Sequence, residues 1–574
     1  MSLADSINRN PAMPENTVLA EYIPNGTGAA YTLFKQEIDK GVNAHIAVYG
    51  DPDIDGLMAG LIAERYLGKL GLGLNSPNYR YFLNSNRAHG FFMGEEELES
   101  LRGYLLIAVD FSITPTEYIR ILQHGINLIV LDHHEIKAED YPTTQNYVFT
   151  RMGDNFGVIL NNQYEAEPQE MRFLSGAGMV YYFFKIVASQ IGIPMDTDTP
   201  ALVGITLLSD IREIENRYAY GFLRCTFNMQ SDYLKYLQWL VTSTYKSNQR
   251  FSAYGVPQMN RSFVDFNFSP IINSMLRADK GYDAMELLRV NEEKVFMYRQ
   301  NDHIQTYRNM QKGIIEAIVQ EAKAMSDVEG SKTRKLSHLS VVCLPMDFIL
   351  PYSTLTLTNY IGVACPKLKD DDKSGFICVI DSKTGKIIRG SVRGGLDGVN
   401  YLKIFADNGV PCAGHKNAFG ILSCNFNDID FDKINEDIKE AERDFRLHHG
   451  NTRLVLQVSN LSIFSGNSQF RKLVCNYNEY CRDNYRIFLR YMGNYENVTP
   501  ITLREKFSSY SFDNVEVKSF DPSLNVRESL IFPYFENKDY TTYILKDNFE
   551  HDVKEENVGV MERLNAFIQM VSYK

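Results

Sequence analysis

The chain has 574 residues, of which 44% are hydrophobic and 23% are charged, an ordinary balance for a globular protein. At about 100–200 residues per domain, this length predicts three or four domains. The formal net charge of −12 excludes binding to nucleic acid or anionic membranes through average charge, so a polyanionic partner needs local basic patches or bound metal.

The sequence has no pattern of a membrane or secretory protein. Residues 1–26 lack the apolar core of a signal peptide, and no segment has the roughly 20 uninterrupted apolar residues that cross a bilayer. The eight cysteines form no C-x-x-C pair, which argues against a zinc ribbon and against a compact disulfide framework. These features predict a cytoplasmic protein whose thiols are reduced.

Between residues 40 and 215, short apolar runs alternate with longer helical patterns. The apolar runs are "AHIAVYG", "GYLLIAVD", "INLIVLDHH" and "PALVGITLLSD", each of which we interpret as a strand. Strands that alternate with helices predict βαβ units and a parallel sheet, in which ligands gather at the carboxyl ends of the strands. This part of the chain therefore predicts an α/β domain with its site at one edge of the sheet.

The rest of the chain contains three further predicted segments. Residues 283–326 have no proline and one glycine, which predicts one long helix or two collinear helices between domains. A polar linker then leads to a second, strand-rich domain that ends near residue 440. The remainder is rich in Tyr, Phe and Asn with alternating patterns, and its composition fits an oligonucleotide-binding barrel and an aromatic-rich sandwich equally well.

Four acidic or histidine clusters follow the apolar runs of the first domain. In chain order they are Asp51, Asp53 and Asp55; Asp110; Asp132, His133 and His134; and Asp210. Burying crowded carboxylates without a positive partner costs several kcal/mol, so a cation is expected among them. Carboxylates with one or two imidazoles suit Mn²⁺ or Mg²⁺ better than Zn²⁺, and a shared carboxylate can hold two ions about 3.5–4 Å apart. The clusters together predict a two-metal site.

Each cluster has a simpler interpretation when it is taken alone. An aspartate after a strand, such as Asp110 or Asp210, is more often a helix N-cap, and "DHH" is as often a solvated turn as a pair of ligands. Four such clusters at strand ends of one predicted sheet are hard to obtain from capping. We therefore favour the metal site.

The motifs "GDPDIDG", "LIAVD", "LIVLDHHE" and "LLSDIREIENR", in this order, resemble those of the DHH phosphoesterase superfamily. "FLSGAGMVYYFF" and "SPIINSMLRADKGYDAMELL" resemble segments of the RecJ-type single-strand exonucleases, and "GSVRGG" and "GHKNAFG" are similar to phosphate-binding motifs of the DHH-associated domain. The resemblance covers roughly residues 40–425 and implies an α/β fold: a parallel-sheet DHH domain, a long connecting helix and a smaller α/β DHH-associated domain, followed by a mostly β C-terminal domain. The predicted domains are 1–230 for the DHH catalytic domain with its N-terminal extension, 231–330 for the helical connector, 331–440 for the DHH-associated substrate-binding domain and 441–574 for the C-terminal domain.

The resemblance also implies the roles of individual residues. The implied metal ligands are Asp53, Asp55, Asp110, His133 and Asp210. The implied catalytic residues, which support the metal ligands or contact the substrate, are Asp51, Asp132 and His134. The implied substrate-binding residues are Asn273 and Arg277, which meet DNA phosphates, and Ser391, Arg393, Gly414 and His415, which hold a terminal phosphate. Arg393 could instead be a surface strand residue, and Gly414 with Gly420 could mark turns. Tyr49 stands where many superfamily members have a histidine, which implies that one metal is held less tightly.

The resemblance implies a manganese- or magnesium-dependent exonuclease that hydrolyses single-stranded DNA from 5′ to 3′ through a metal-activated water. Single-strand-binding or DNA-repair proteins are the implied protein partners. One alternative is a phosphodiesterase of short oligonucleotides or cyclic dinucleotides, and another is a non-catalytic replication scaffold. The long helix and the extra C-terminal domain favour a polymer substrate, and five intact metal ligands argue against a scaffold.

Overall fold

The computed structural model describes two compact units of the chain. The described residues are 19, 21–83, 91, 93–143, 145–210, 216–228, 232–243, 259–289, 303–326, 332–346, 359–369, 373–396, 398–449, 453–480, 486–504, 507–521, 523–535, 541–546, 553–554, 560 and 562–567. The first unit combines Met1–Asp302 with Arg453–Lys574, and the second unit is His303–Thr452. The C-terminal residues, which the sequence assigned to a separate domain, thus pack with the N-terminal part of the chain.

A six-stranded sheet forms the centre of the first unit. Its strands are β1 Ile46–Gly50, β2 Tyr79–Leu83, β3 Leu105–Val109, β4 Asn127–Asp132, β5 Phe149–Met152 and β6 Asn155–Asn161. The order is β2-β1-β3-β4-β6-β5, and all neighbours are parallel except β5 and β6. Every residue of β1 and β3 is buried, as expected for a parallel sheet with helices on both faces. The predicted parallel sheet is confirmed.

Ten helices of the described chain accompany this sheet. They are α1 Thr27–Ile38, α2 Ile54–Lys69, α3 Glu95–Ser100, α4 Pro115–Gln123, α5 Gly176–Ile191, α6 Thr199–Ser209, α7 Arg217–Asn228, α8 Asp232–Ser243, α9 Ser269–Arg277 and α10 Gly281–Arg289. The helices α2 and α5 pack against the strands and each other, while α4 contributes to an apolar cluster with β3 and β4. A π-helical segment, Val264–Phe268, leads directly into α9.

The predicted strand "PALVGITLLSD" is wrong, because these residues form the helix α6. The helix is buried along most of its length and packs against α2, α5 and α7. A helix that is apolar on every face has no visible 3.6-residue periodicity, so its sequence looks like that of a buried strand. Asp210 therefore follows a helix rather than a strand.

The second unit has its own six-stranded sheet, in the order β11-β12-β10-β9-β8-β7. Its strands are β7 Arg334–Lys335, β8 Leu339–Pro345, β9 Ser374–Ile380, β10 Ile387–Arg393, β11 Cys412–His415 and β12 Ala418–Ile421. Its helices are α11 His303–Ser326, α12 Ile361–Ala364, α13 Tyr401–Asp407 and α14 Phe431–His449. One apolar cluster joins the sheet to α13 and α14, and another joins it to α11 and α12. Part of the predicted helix 283–326 is seen as α10 and α11, while residues 290–302 lie outside the described chain.

The C-terminal residues form an eight-stranded sheet in the order β15-β16-β17-β19-β18-β14-β13-β20. The strands are β13 Arg453–Val458, β14 Ile487–Tyr491, β15 Thr499–Arg504, β16 Phe507–Phe512, β17 Val515–Ser519, β18 Leu530–Phe535, β19 Thr541–Lys546 and β20 Val553–Lys554. Two helices, α15 Leu461–Gly466 and α16 Ser468–Tyr480, accompany them. The sheet includes parallel pairs and has eight strands, whereas an oligonucleotide-binding barrel has five. No helix among the described residues is both long and apolar enough to cross a membrane.

Candidate metal centre

The carboxyl ends of β1, β3 and β4 meet at one edge of the first sheet. The strands are parallel neighbours, so the residues that follow them come together at this edge. Asp51, Asp110 and His133 lie here, and each is at most 3% exposed. Because buried carboxylates need a positive partner, this edge has the chemistry of a cation site. The structure thus brings the clusters that follow these three strands to one edge.

His133 lies at the centre of the cluster. Its Nε2 atom is 3.1 Å from Asp110 Oδ1, 3.7 Å from Asp55 Oδ2 and 3.9 Å from Asp210 Oδ2. Two overlapping triads could each hold a cation, with ligand atoms that lie within 4.8 Å of one another. One triad is Asp110, His133 and His134, and the other is Asp55, His133 and Asp210. Four of the five predicted metal ligands therefore belong to these triads.

The N-terminus of α5 holds the carboxylate of Asp55. Gly176 N donates to Asp55 Oδ2 at 2.6 Å, and Ala177 N donates to Asp55 Oδ1 at 3.0 Å. Free amides and the helix dipole at a helix N-terminus stabilise a negative charge. The N-cap residue Ser175 also bonds Thr206 of α6, with 2.7 Å between the two hydroxyl oxygens. The start of α5 is thus tied both to Asp55 and to the helix that ends at Asp210.

Two glycines let backbone and carboxylate approach closely. An ideal Cβ on Gly176 would lie 2.3 Å from Asp110 Oδ1, and one on Gly56 would lie 2.4 Å from the Asp51 carbonyl oxygen. Real Cβ atoms do not come so close to other atoms, so larger residues would displace the site. We did not predict a role for Gly176, and its sequence signal is its place in "SGAG" at the start of a helix.

The pKa values of two carboxyl groups record the crowding. Burial, followed by the charges of Asp210 and Asp53, raises the pKa of Asp55 to about 7. Burial and the neighbouring aspartates, Asp55 first, raise the pKa of Asp110 well above its ordinary value. Such carboxyl groups ionise together only when a cation offsets their repulsion. The set of carboxylates and imidazoles, without a thiolate, fits Mn²⁺ or Mg²⁺.

Asp132 orients the imidazole of His134 through a hydrogen bond. Its Oδ1 lies 2.7 Å from His134 Nδ1, and its Oδ2 accepts from Asn161 Nδ2 at 3.2 Å. Asn161 Nδ2 also donates to the His134 carbonyl oxygen at 2.9 Å. Burial opposes the charged imidazole, but the charge and hydrogen bond of Asp132 prevail and raise the pKa of His134 to about 9. His134, which we predicted as a supporting group, thus lies among the residues that could bind metal, and Asn161 is a support that the sequence did not reveal.

The remaining residues of the predicted centre have other surroundings. Asp53 is the N-cap of α2, where its Oδ1 accepts from Gly56 N at 2.9 Å, and it is not a member of either triad found among the described residues. Asp110 is not an N-cap and Asp210 is the C-cap of α6, so the capping interpretation is wrong for both. Tyr49 packs in the apolar core, with its ring 5.0 Å from the ring of Phe111.

The predicted substrate-binding residues are divided between the units. Asn273 and Arg277 are half-buried on α9 in the first unit. In the second unit, Ser391 and Arg393 lie on β10, and Arg393 Nη1 donates to Ser391 Oγ at 2.9 Å. The side chain of His415 lies outside the part of the chain that the structure describes.

The second unit places Arg393 and His415 in one row of its sheet. The backbone of Arg393 pairs with Ala418 on β12, and Ala418 pairs in turn with His415 on β11. Gly414 has a φ of +137°, and a Cβ there would lie 2.8 Å from Phe419 Cα. A glycine is therefore required at position 414 by both backbone conformation and space.

Comparisons with known proteins agree with this description. Residues 45–205 match the DHH family, N-terminal domain. RecJ from Thermus thermophilus in complex with Mn²⁺ is similar over 92% of this chain and 72% of that chain, with 17% identity and a TM-score of 0.59. The Mg²⁺ complex of RecJ from the same organism is similar over 92% and 70%, with 14% identity and a TM-score of 0.54. No curated protein matches the chain. At these identities the likeness concerns the fold.

Proposed function

From the premise that residues 45–205 form a DHH-family domain within a RecJ-like fold, we propose that this protein is a metal-dependent exonuclease of single-stranded DNA. It hydrolyses phosphodiester bonds, in the 5′-to-3′ direction. The observation that carries the proposal is the position of His133, whose Nε2 lies 3.1–3.9 Å from three carboxylates at one sheet edge. Such a buried set of oxygen and imidazole donors is a site for divalent cations that act on phosphate esters.

The residues of the centre have different roles in the proposed reaction. When bound, as one ion or two, Mn²⁺ or Mg²⁺ would lower the pKa of the attacking water and compensate negative charge on the phosphate. Asp55, Asp110, His133 and Asp210 would hold the cations, and the α5 amides keep the Asp55 carboxylate in one orientation. Asp132 fixes the imidazole of His134 towards the same centre.

The second unit supplies the phosphate-binding groups of the proposal. The Arg393 guanidinium is half-buried, and its Nη1 bonds the neighbouring Ser391 hydroxyl and the Val392 carbonyl. A guanidinium held in this way presents fixed donors to a phosphate. We assign Arg393, with His415 in the same row, to the terminal phosphate, and Asn273 and Arg277 to the backbone of a longer strand.

The test is hydrolysis of three labelled substrates by the full chain in Mn²⁺: a long single strand, a blunt duplex and a dinucleotide. We expect the long single strand to be degraded to mononucleotides from its 5′ end, with EDTA abolishing the reaction and the duplex nearly untouched. Hydrolysis of the dinucleotide alone would replace the exonuclease with a small-substrate phosphodiesterase. No hydrolysis of any substrate would favour the non-catalytic scaffold.

A further inference from the structure

The loop that follows Arg393 in the second unit is held at three consecutive amides. Its residues, 394–396, lie between β10 and α13. The three hydrogen bonds run from Gly394 N to the Asn417 carbonyl at 2.8 Å, from Gly395 N to Ser374 Oγ at 3.0 Å and from Leu396 N to Tyr401 Oη at 2.8 Å. Because each amide has a partner in a different part of the unit, the loop has little freedom to move.

Tyr401 contacts this loop in two ways. Its hydroxyl accepts the hydrogen bond from Leu396 N and donates to Glu442 Oε1 at 2.7 Å. Its ring is fully buried, and a Cβ on Gly394 would lie 2.5 Å from the ring carbons. Burial and then the charge of Glu442 raise the pKa of Tyr401, so its hydroxyl stays protonated and keeps both hydrogen bonds. The loop therefore rests on the Tyr401 ring and is tied to the Tyr401 hydroxyl.

Glu442 of α14 fixes Tyr401 in turn. The carboxylate is 2% exposed, and its second oxygen, Oε2, lies 2.9 Å from His338 Nδ1. His338 is itself tied to α14, because its amide donates to Asn435 Oδ1 at 2.8 Å. A buried carboxylate with a partner on each oxygen has a defined orientation, so the Tyr401 hydroxyl has one as well.

The first turn of α13 also contacts the other phosphate-binding segment. Leu402 N donates to the Lys416 carbonyl at 3.0 Å, in the turn that follows His415. The neighbouring residues Tyr401 and Leu402 thus touch the loop after Arg393 and the turn after His415. These two segments carry the groups that we assign to the terminal phosphate.

We propose that Tyr401 and Glu442 are positioning residues, which set the place of the Arg393 loop relative to the β11–β12 turn and so govern the binding of the terminal phosphate. The inference rests on the proposed function, because it takes Arg393 as a phosphate-binding residue. Neither side chain contacts the reacting atoms in this proposal. A defect should therefore appear in substrate binding and leave the chemical step almost intact.

The variant Tyr401→Phe tests this, because it removes the hydroxyl and keeps the ring beneath Gly394. For a 5′-phosphorylated single strand we expect KM to rise about three- to tenfold, the size of one lost hydrogen bond, with kcat within about twofold. Hydrogen exchange of residues 394–396 should accelerate. The matched control is Tyr22→Phe, whose hydroxyl donates to Glu167 Oε2 at 2.7 Å in the first unit. That variant should lose similar stability without a change in KM.

Two further variants keep the outcome decisive. Gly394→Ala places a methyl group against the Tyr401 ring and should raise KM by an independent route. Arg393→Ala provides the reference, and anisotropy of a labelled 5′-phosphorylated single strand measures binding without turnover. If Arg393→Ala weakens binding while Tyr401→Phe and Gly394→Ala leave binding and exchange unchanged, Tyr401 is structural only and the inference is overturned. If Arg393→Ala itself has no effect, the phosphate assignment fails and the positioning role fails with it.

Discussion

Asp110 combines burial with an uncommon backbone conformation. Its φ of +62° lies in the left-handed region, which residues with a Cβ rarely adopt, although Asp and Asn tolerate it best. Its amide donates to the Leu131 carbonyl at 2.9 Å, so the conformation is fixed by the neighbouring strand. Strained positions of this kind concentrate at functional sites. In this conformation Asp110 Oδ1 lies 3.1 Å from His133 Nε2.

We predict that Asp110→Asn abolishes hydrolysis while it stabilises the metal-free protein. Asparagine fits the same backbone conformation, and removing the charge relieves both the burial of a carboxylate and the repulsion by neighbouring aspartates, which together raise the pKa of Asp110. Turnover in Mn²⁺ should fall by more than about 100-fold, which exceeds the usual effect of losing a group that only supports a ligand. In EDTA, the unfolding temperature should rise.

Asp513→Asn is the control for this variant. Asp513 is also left-handed, with a φ of +49°, but it lies in the turn between β16 and β17 and accepts from Leu461 N and Tyr491 Oη. Its replacement should lower stability and leave hydrolysis unchanged. Hydrolysis by Asp110→Asn within a few-fold of the unmodified protein would show that Asp110 binds no catalytic metal.

The pKa of Asp55 predicts how metal affinity depends on pH. The pKa of the Asp55 carboxyl group is raised to about 7 in the folded, metal-free protein, whereas it is about 3.9 in an unfolded chain. The folded state thus binds the extra proton between these values, and metal-free stability falls as pH rises through this window. A cation competes with that proton, so Mn²⁺ affinity should rise between pH 5 and about 7. Calorimetric titration at several pH values measures this, and an affinity that falls with pH would contradict it.

At the scale of elements, the start of α5 is the part of the fold that organises the centre. Its first two amides bind Asp55, its first residue lies against Asp110, and its N-cap Ser175 bonds Thr206 of α6. One helix end therefore contacts two carboxylates that come from different elements, Asp55 in the first turn of α2 and Asp110 after β3.

We predict that Gly176→Ala lowers Mn²⁺ affinity by more than about tenfold, since its Cβ would lie 2.3 Å from Asp110 Oδ1 and must displace the helix or the ligand. Gly178→Ala in the same helix is the matched control. Its Cβ would meet the flexible end of Leu174 at 2.9 Å, and alanine favours the helix, so this variant should bind Mn²⁺ normally. Calorimetry of both variants gives the comparison. Equal affinities would mean that α5 does not determine the geometry of the centre.

At the scale of the whole molecule, the residues assigned to substrate lie in different units. Arg277 belongs to the unit that holds the metal centre, and Arg393 belongs to the other unit. If Arg277 meets the backbone of a long strand, only long substrates should depend on it. If Arg393 binds the terminal phosphate, hydrolysis of every substrate should depend on Arg393.

We therefore predict that Arg277→Ala weakens binding of a long single strand and lowers the salt dependence by about one unit of slope, for one lost phosphate contact. Its cleavage of a dinucleotide should be nearly unchanged. Arg393→Ala should slow both substrates, because phosphate positioning is needed at any length. Turnover of both substrates by both variants is the measurement. An equal loss on the dinucleotide with Arg277→Ala would favour a small-substrate phosphodiesterase.

The sequence by itself determined three of the six strands of the first sheet, β1, β3 and β4, and that Asp51, Asp110 and Asp132 gather at one edge of it. The physical reason is local: short apolar runs bounded by helical patterns make parallel strands, and parallel strands end on the same side. The metal-ligand role proposed for His133 and the importance of the β10 and β11 motifs came instead from the resemblance to DHH phosphoesterases. Pairing of β10 and of β11 with β12 places Arg393 and His415 in one row.

Only the tertiary structure decided how the centre is completed. Asp210 reaches the cluster from the end of a helix that sequence periodicity cannot distinguish from a buried strand, because every face of α6 is apolar. Gly176 contacts Asp110, and Asn161 bonds Asp132 and His134, which are all distant in sequence. The local sequence around a glycine or an asparagine does not indicate such a partner. The contacts of Tyr401 with Glu442 and Leu396 are of the same kind. Patterns along a chain report on neighbours within an element, whereas these roles depend on which elements pack together.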